Sequence, residues 1–360
     1  FRGPAGNGIV PGKLKLLPQP RRLWKAPVGT GNASLIIQAN RLYTVGKRPG
    51  KGMHLICLDT ATGKLLWERQ MDSWFADSSP TLDRGRLYLL CTYENKPVVY
   101  ACSATDGKVL WQTKLSKPDG QRHYGHAGSP LLWQDLVIVN AGTGAALNRD
   151  TGAVVWQHEG LGGLATPVLY REKTQTGVLI FGGKSLHARD GRSGRELWSI
   201  AWKTNLAVNA GDPIYHNQRL FISTDYGKHA ALFDVRTTTP KQLWKEQGSS
   251  FSSGFLWQGN LYCFTGGEFA CLDFATGQKR WKGPHMGKGS AILADGKIIL
   301  LSENGRLAIA PLSTDGFQPT IQEQIHGGTT WAPPSLVNGR LYLRNKEGQA
   351  ICLQIGATAR

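Results

Sequence analysis

His123 and His126 stand three residues apart, a spacing that can hold a metal ion, with Asp77 or Asp212 available to complete the set. The same two aspartates could also work as an acid/base pair, although sequence does not give their separation. Trp74, Tyr124, Asn209, Lys288 and Trp331 occur in comparable segments. Aromatic faces beside carboxylate, amide, imidazole and ammonium groups suit sugar rings, which have apolar faces and hydroxyl edges. Two histidines without a fixed third ligand are more often satisfied loop residues, so no metal centre is assigned. No Gly-Xaa-Ser-Xaa-Gly elbow, P-loop or Cys-Xaa-Xaa-Cys occurs, so the motif-based hydrolase, nucleotide-binding and dithiol classes lack support.

These residues need a scaffold, and the chain spells one by repetition. Residues 58–67 read Leu-Asp-Thr-Ala-Thr-Gly-Lys-Leu-Leu-Trp, and residues 272–281 read Leu-Asp-Phe-Ala-Thr-Gly-Gln-Lys-Arg-Trp. Weaker copies end at Trp111, Trp156, Trp198 and Trp244, and Trp24 has a similar setting. The intervals from Trp24 to Trp281 are 43, 44, 45, 42, 46 and 37 residues. Strand patterns recurring with a period near 40 indicate a propeller or a related array. Each unit opens with Ser, Gly and Pro, then an apolar run. A tight turn such as Asp295-Gly296 or Asn338-Gly339 follows, then an alternating strand such as Arg340-Leu341-Tyr342-Leu343. A third strand reaches the Asp, and the Thr-Gly turn sends the chain into a fourth strand bearing the Trp.

Eight first-and-second-strand pairs start near residues 34, 79, 129, 166, 212, 254, 289 and 334. The last unit ends after its third strand, and Arg21-Arg22-Leu23-Trp24 can supply the fourth. The expected fold is all-β: an eight-bladed propeller of four-stranded antiparallel blades, closed by an N-terminal strand that covers otherwise open edges. Residues 1–19 read as a surface segment and 20–360 as one domain. Trp24, Trp67, Trp111, Trp156, Trp198, Trp244 and Trp281 read as structural residues docking between neighbouring sheets. Trp74, Trp202 and Trp331 fall instead in segments leading into first strands. Those segments lie on the varied face of such a disc, around its central channel.

Net charge is +17, and residues 1–58 hold ten Lys or Arg and no acid. Such an excess favours polyanions: acidic polysaccharide, anionic lipid headgroups or nucleic acid. Nucleic acid ranks last, because aromatic and basic residues do not interleave as a stacking platform. A solvated basic surface accounts for the charge equally well. No apolar run of membrane-spanning length occurs. The start at Phe1 rather than Met reads as an exported, periplasmic or extracellular protein whose leader has been removed. Cys57, Cys271 and Cys352 share one small-residue slot that other blades fill with Ala101, Ala146, Ala188 and Ala310. Cys91 and Cys102 would face each other if their hairpin turned at Lys96-Pro97.

The phrase Leu-Asp-Xaa-Ala-Thr-Gly-Lys-Xaa-Xaa-Trp resembles the tryptophan-docking motif of the pyrroloquinoline quinone (PQQ)-like propeller superfamily. The opening Arg2-Gly3-Pro4-Ala5-Gly6-Asn7-Gly8 is similar to the start of exported PQQ-like repeat proteins. The resemblance covers nearly the whole chain. It implies two branches: quinone-dependent alcohol or sugar dehydrogenases holding PQQ with calcium or a lanthanide, and a scaffold lipoprotein of the outer-membrane β-barrel assembly machine, closer in length. The dehydrogenases' adjacent Cys-Cys pair is missing and their metal-ligand set finds no match here, so their site residues do not carry over. The reading is an exported binding or scaffold module for a saccharide-like ligand or a protein partner, with no cofactor. The alternative is an enzyme at the channel mouth, either PQQ-dependent or carbohydrate-active. The small-slot reading predicts that Cys57→Ala, Cys271→Ala and Cys352→Ala each cost no more than about 1 kcal/mol in urea unfolding. A much larger loss at any of them counts against an interchangeable slot.

Overall fold

The computed structural model describes the chain apart from residues 1, 4, 76, 117–124, 173–174, 225, 227–228, 249–251, 253 and 358–360. Among the described residues, eight antiparallel sheets follow one another in sequence, the sheets of an eight-bladed β-propeller. Blade 1 comprises Ile36–Gln38, Arg41–Arg48, Gly52–Asp59 and Leu65–Met71. Blades 2 to 7 start at Thr81, Leu131, Val168, Ile214, Phe255 and Ser290. Blade 8 takes Ser335–Val337, Arg340–Arg344 and Gln349–Ala357, with Lys15–Pro27 as its outermost strand. The chain divides into two compact units, Phe1–Met71 with Gly254–Arg360, and Asp72–Ser253. The first unit therefore holds blades 6, 7, 8 and 1, and the second holds blades 2 to 5.

In the first unit, closure is carried by non-local pairing. Lys15 lies opposite Ala357 and Pro27 opposite Gln349. Trp24, on the added strand, packs 6.0 Å from Tyr342 of blade 8. Its indole donates to the carbonyl of Thr60 in blade 1 at 2.9 Å. Its ring lies over Gly63, where a Cβ would come within 2.7 Å of it. Arg344 reinforces the joint. Its buried guanidinium donates to the carbonyls of Gly29, Ala33 and Val45 and to Thr44 Oγ1 at 2.8–3.1 Å. Such bonds offset the cost of burying a charge. Ile9–Val10 adds a parallel fifth strand to blade 7, beside Ser290–Ala294, and Leu14 is buried.

The Thr-Gly turn is built the same way in several blades. Asp59 accepts from the backbone of Ala61 and Thr62 and from the Thr62 hydroxyl at 2.7–3.1 Å. Asn148, Asp190 and Asp273 repeat this pattern in blades 3, 4 and 6. Thr62 holds the Asp59 carboxyl below the ordinary carboxylate range. A register shift just before the tryptophan recurs in blades 1 to 6, turning the outer strand at that point.

In five blades the docking tryptophan has an aromatic companion, on the second strand in blades 1, 2, 5 and 6 and on the first strand in blade 4. The pairs Tyr43–Trp67, Tyr88–Trp111, Tyr170–Trp198, Phe221–Trp244 and Tyr262–Trp281 have centroids 5.7–6.1 Å apart. Trp111 and the Tyr88 hydroxyl both donate to the Arg149 carbonyl of blade 3. Trp281 and Tyr262 do the same at Ser313 of blade 7.

The hairpin between the second and third strands of blade 2 turns at Glu94-Asn95, both with positive φ. Cys91 therefore faces Val98 and Cys102 faces Leu87, which corrects the turn at Lys96-Pro97 and the facing pair it would make. All six cysteines are free and buried.

Two changes test the joint between blades 8 and 1. Deleting residues 1–25 is expected to cause aggregation or a large fall in melting temperature, because it removes Trp24 and most of an outer strand, and burial of one large side chain alone is worth about 1.5–3 kcal/mol. Gly63→Ala is expected to cost about 2 kcal/mol, since it combines a φ of +71° with the contact on Trp24. Unchanged melting curves for both variants would contradict this account of the joint.

Candidate functional site

In the second unit, Asn209 is fully buried and spent within the fold. Its side-chain amide donates to the carbonyls of Gly182 and Trp202 at 2.7 and 3.3 Å, its Oδ1 accepts from the Thr204 hydroxyl at 3.3 Å, and its backbone carbonyl accepts from Leu164 and Ala165. Asp212 is buried and accepts from the amide of Thr166 at 2.8 Å. His126 is buried against Thr92, whose hydroxyl lies 2.7 Å from its Nδ1 and accepts from its amide at 3.0 Å. These groups fasten consecutive blades together. Asp77 is half-buried, and Trp74 is 52% exposed, 6.2 Å from Tyr93. Lys114 places its ammonium 5.0 Å from the Tyr93 ring. His123 and Tyr124 lie outside the described residues.

In the first unit, Lys288 and Trp331 meet at a residue that sequence reasoning missed. Glu303 accepts the Trp331 indole N–H at 2.8 Å and the Lys288 amide at 3.2 Å. Lys346 stands 4.8 Å from the Trp331 ring. Glu347, one blade on, accepts from the Thr329 amide. The Glu/Asn-Gly turn signals at Glu303-Asn304-Gly305 and Glu347-Gly348 mark both places in the sequence.

A second polar group in the second unit was also missed. The alternation Ser185-Leu186-His187-Ala188-Arg189 puts three polar side chains on one face of the third strand of blade 4. His187 Nε2 is 2.6 Å from Ser185 Oγ, and its Nδ1 is 2.7 Å from Glu196 Oε2. Arg189 lies 3.4 Å from Glu196 and donates to the Thr143 carbonyl and hydroxyl in blade 3. Burial pushes the proton affinity of His187 down, against the pull of Glu196. His158 is lowered as well, by burial and then by Arg189. Glu196 is held below the ordinary range because His187 and Arg189 outweigh its burial.

Among the described residues, no three His, Cys, Asp or Glu stand together as metal ligands. The carboxylates of Asp212 and Glu303 are occupied by protein N–H groups within their own units. These donor sets do not fit a metal-bound quinone.

Four-stranded blades, tryptophans docked on the next blade and Asp-capped Thr-Gly turns define a PQQ-like repeat propeller. A family model described as outer membrane protein assembly factor BamB matches residues 17–162 and 89–283, and the chain belongs to that family. The outer membrane protein assembly factor BamB of Yersinia pestis is 24% identical over 349 residues, 91% of this chain and 77% of the relative. The quinoprotein alcohol dehydrogenase PedH of Pseudomonas putida is 26% identical over 245 residues, 64% of this chain and 38% of the enzyme. The structure of BamB from Moraxella catarrhalis superposes with a TM-score of 0.71 at 18% identity, covering 95% of this chain and 99% of that one. A europium-containing methanol dehydrogenase shares the fold with a TM-score of 0.68 at 13% identity, covering 94% and 87%. Among the described residues no helix is long and apolar enough to cross a membrane.

The histidine pair gives a pH test. A histidine that binds its proton more weakly in the folded chain contributes stability that is fully present above its ordinary value of 6.5. That contribution is lost as pH falls below 6.5 towards the depressed folded value. Melting temperature should therefore drop between about pH 7.5 and about pH 5.5. His158→Gln and His187→Gln should each shrink the drop, and parallel profiles in both variants would overturn the assignment.

Proposed function

We propose that this protein is an exported, periplasmic scaffold that holds a protein partner in outer-membrane protein assembly. Family membership supports the setting. One contrast supports protein over sugar or quinone as the ligand: the buried polar candidates of the second unit are committed to neighbouring blades, while Trp74 and Leu206, 52% and 54% exposed, present apolar side chains to solvent. A small polar ligand needs unspent donors and acceptors, whereas protein interfaces are anchored by large aromatic side chains such as tryptophan, with apolar contacts around them that exclude water. A saccharide platform on Trp74 and Tyr93, or a quinone enzyme, is the competing outcome. The exposed Lys15, Arg21, Arg22 and Lys25 on the outermost strand of blade 8 suit a neighbouring anionic surface.

Photo-crosslinkers at positions 74 and 206, expressed in the native bacterium, should capture a component of the outer-membrane assembly machinery. Trp74→Ala and Leu206→Ala should each weaken that complex by about 2 kcal/mol, roughly thirtyfold, with melting unchanged. Micromolar binding of PQQ with calcium-dependent dye reduction, or crosslinks to no assembly component, would overturn the reading.

A further inference from the structure

The face of blade 4 carries a hydrogen-bonded chain that scaffolding does not require. Ser185 Oγ, the His187 imidazole and the Glu196 carboxylate are joined in series at 2.6 and 2.7 Å. Nucleophile, base and orienting carboxylate within such reach are the recognisable parts of an activated serine. From Ser185–His187–Glu196 we infer a nucleophilic site for acyl transfer from an ester, independent of partner docking.

Strand geometry accounts for the arrangement. Ser185 and His187 are two apart on one strand, so they share a face. The register shift on the neighbouring strand sets Glu196 opposite Arg189 rather than leaving it one place further on. From there its carboxylate reaches both the guanidinium and His187 Nδ1. An ionised carboxylate can only accept, so Nδ1 carries the proton and Nε2 is left as acceptor for the Ser185 hydroxyl. Burial, and then Arg189, favour the neutral ring beside a charged carboxylate, the state a general base needs near neutral pH.

The serine end is open. Ser185 is partly exposed at the start of its strand, and the residue opposite is Ala201, whose methyl is too short to cover a hydroxyl. Exposed Lys184 and Lys203 adjoin this end and add positive charge. The substrate class is therefore a small acyl ester on an anionic carrier. Ser185 Oγ bonds to the acyl carbon while its proton passes to His187 Nε2. The ester C–O bond then breaks, and the departing alcohol takes that proton. Water then repeats the sequence: its oxygen bonds to the acyl carbon as its proton passes to Nε2, the acyl–Ser185 C–O bond breaks, and Ser185 Oγ takes that proton back as the carboxylic acid leaves. Ser185 and His187 touch the reacting atoms, and Glu196 is a positioning residue.

A fluorophosphonate probe tests this on the intact protein. Peptide mapping should find the adduct on Ser185, with labelling flat above about pH 7 and declining below about pH 6.5. p-Nitrophenyl acetate should be hydrolysed. His187→Ala should slow labelling about 100-fold, and Glu196→Gln should slow it with a shifted pH profile. Ser185→Ala should abolish both activities without loss of melting temperature. No adduct at Ser185 in the unmodified protein, or ester hydrolysis undiminished in a folded Ser185→Ala variant, would overturn the inference.

Discussion

An indole needs a flat seat, and here the seat is a glycine in the next blade. Trp24 lies on Gly63 in the first unit, while Trp111 on Gly152 and Trp156 on Gly194 do the same in the second. A Cβ at any of these glycines would come within 2.6–2.7 Å of the ring, and each has a φ near +70° that side chains resist. The aspartate or asparagine caps, the Thr-Gly turns and the register shifts all serve to present that glycine. Blade 5 departs from this plan: its corresponding turn runs Arg236-Thr237-Thr238-Thr239-Pro240 and holds no glycine.

Much of this was legible in the residues. The tryptophan period, the paired turn residues and the unpaired third strand at the end of the chain lead to eight blades and a borrowed outer strand. The small-residue slot of Cys57, Cys271 and Cys352 could be read too, because alanines occupy it elsewhere. The turn in blade 2 could not, because Pro97 looks like a turn residue and lies instead near the start of a strand, where its missing N–H does little harm. The tyrosine and phenylalanine companions were hidden for another reason. Tyr43, Tyr88, Tyr170 and Tyr262 sit in ordinary alternating strands, and only packing shows that each lies against its blade's tryptophan.

Site residues were harder. Asn209, Asp212 and His126 have the types that bind polar ligands, but the same types also satisfy backbone groups where one blade meets the next. Sequence cannot separate the two uses, because both need a polar atom beside a strand entrance. Glu303 was missed although it collects Trp331 and the Lys288 amide. The Ser185, His187 and Arg189 face was missed because alternation there resembles any half-exposed strand, and its partner Glu196 reaches it only through an irregularity in the adjacent strand.

The borrowed outer strand has a consequence in time. Lys15–Pro27 is synthesised long before its partner Gln349–Ala357. Until then Trp24 has its seat on Gly63 but no Tyr342 beside it, and the strand keeps a row of unpaired backbone groups. Contacts this distant in sequence slow folding and prolong exposure of such edges. A growing chain of this type has reason to be chaperoned until the last strand of the fold arrives. The same pairing brings the two ends of the fold side by side, so joining them with a short linker and opening the chain at another surface turn would move the latest-forming contact elsewhere without changing any blade.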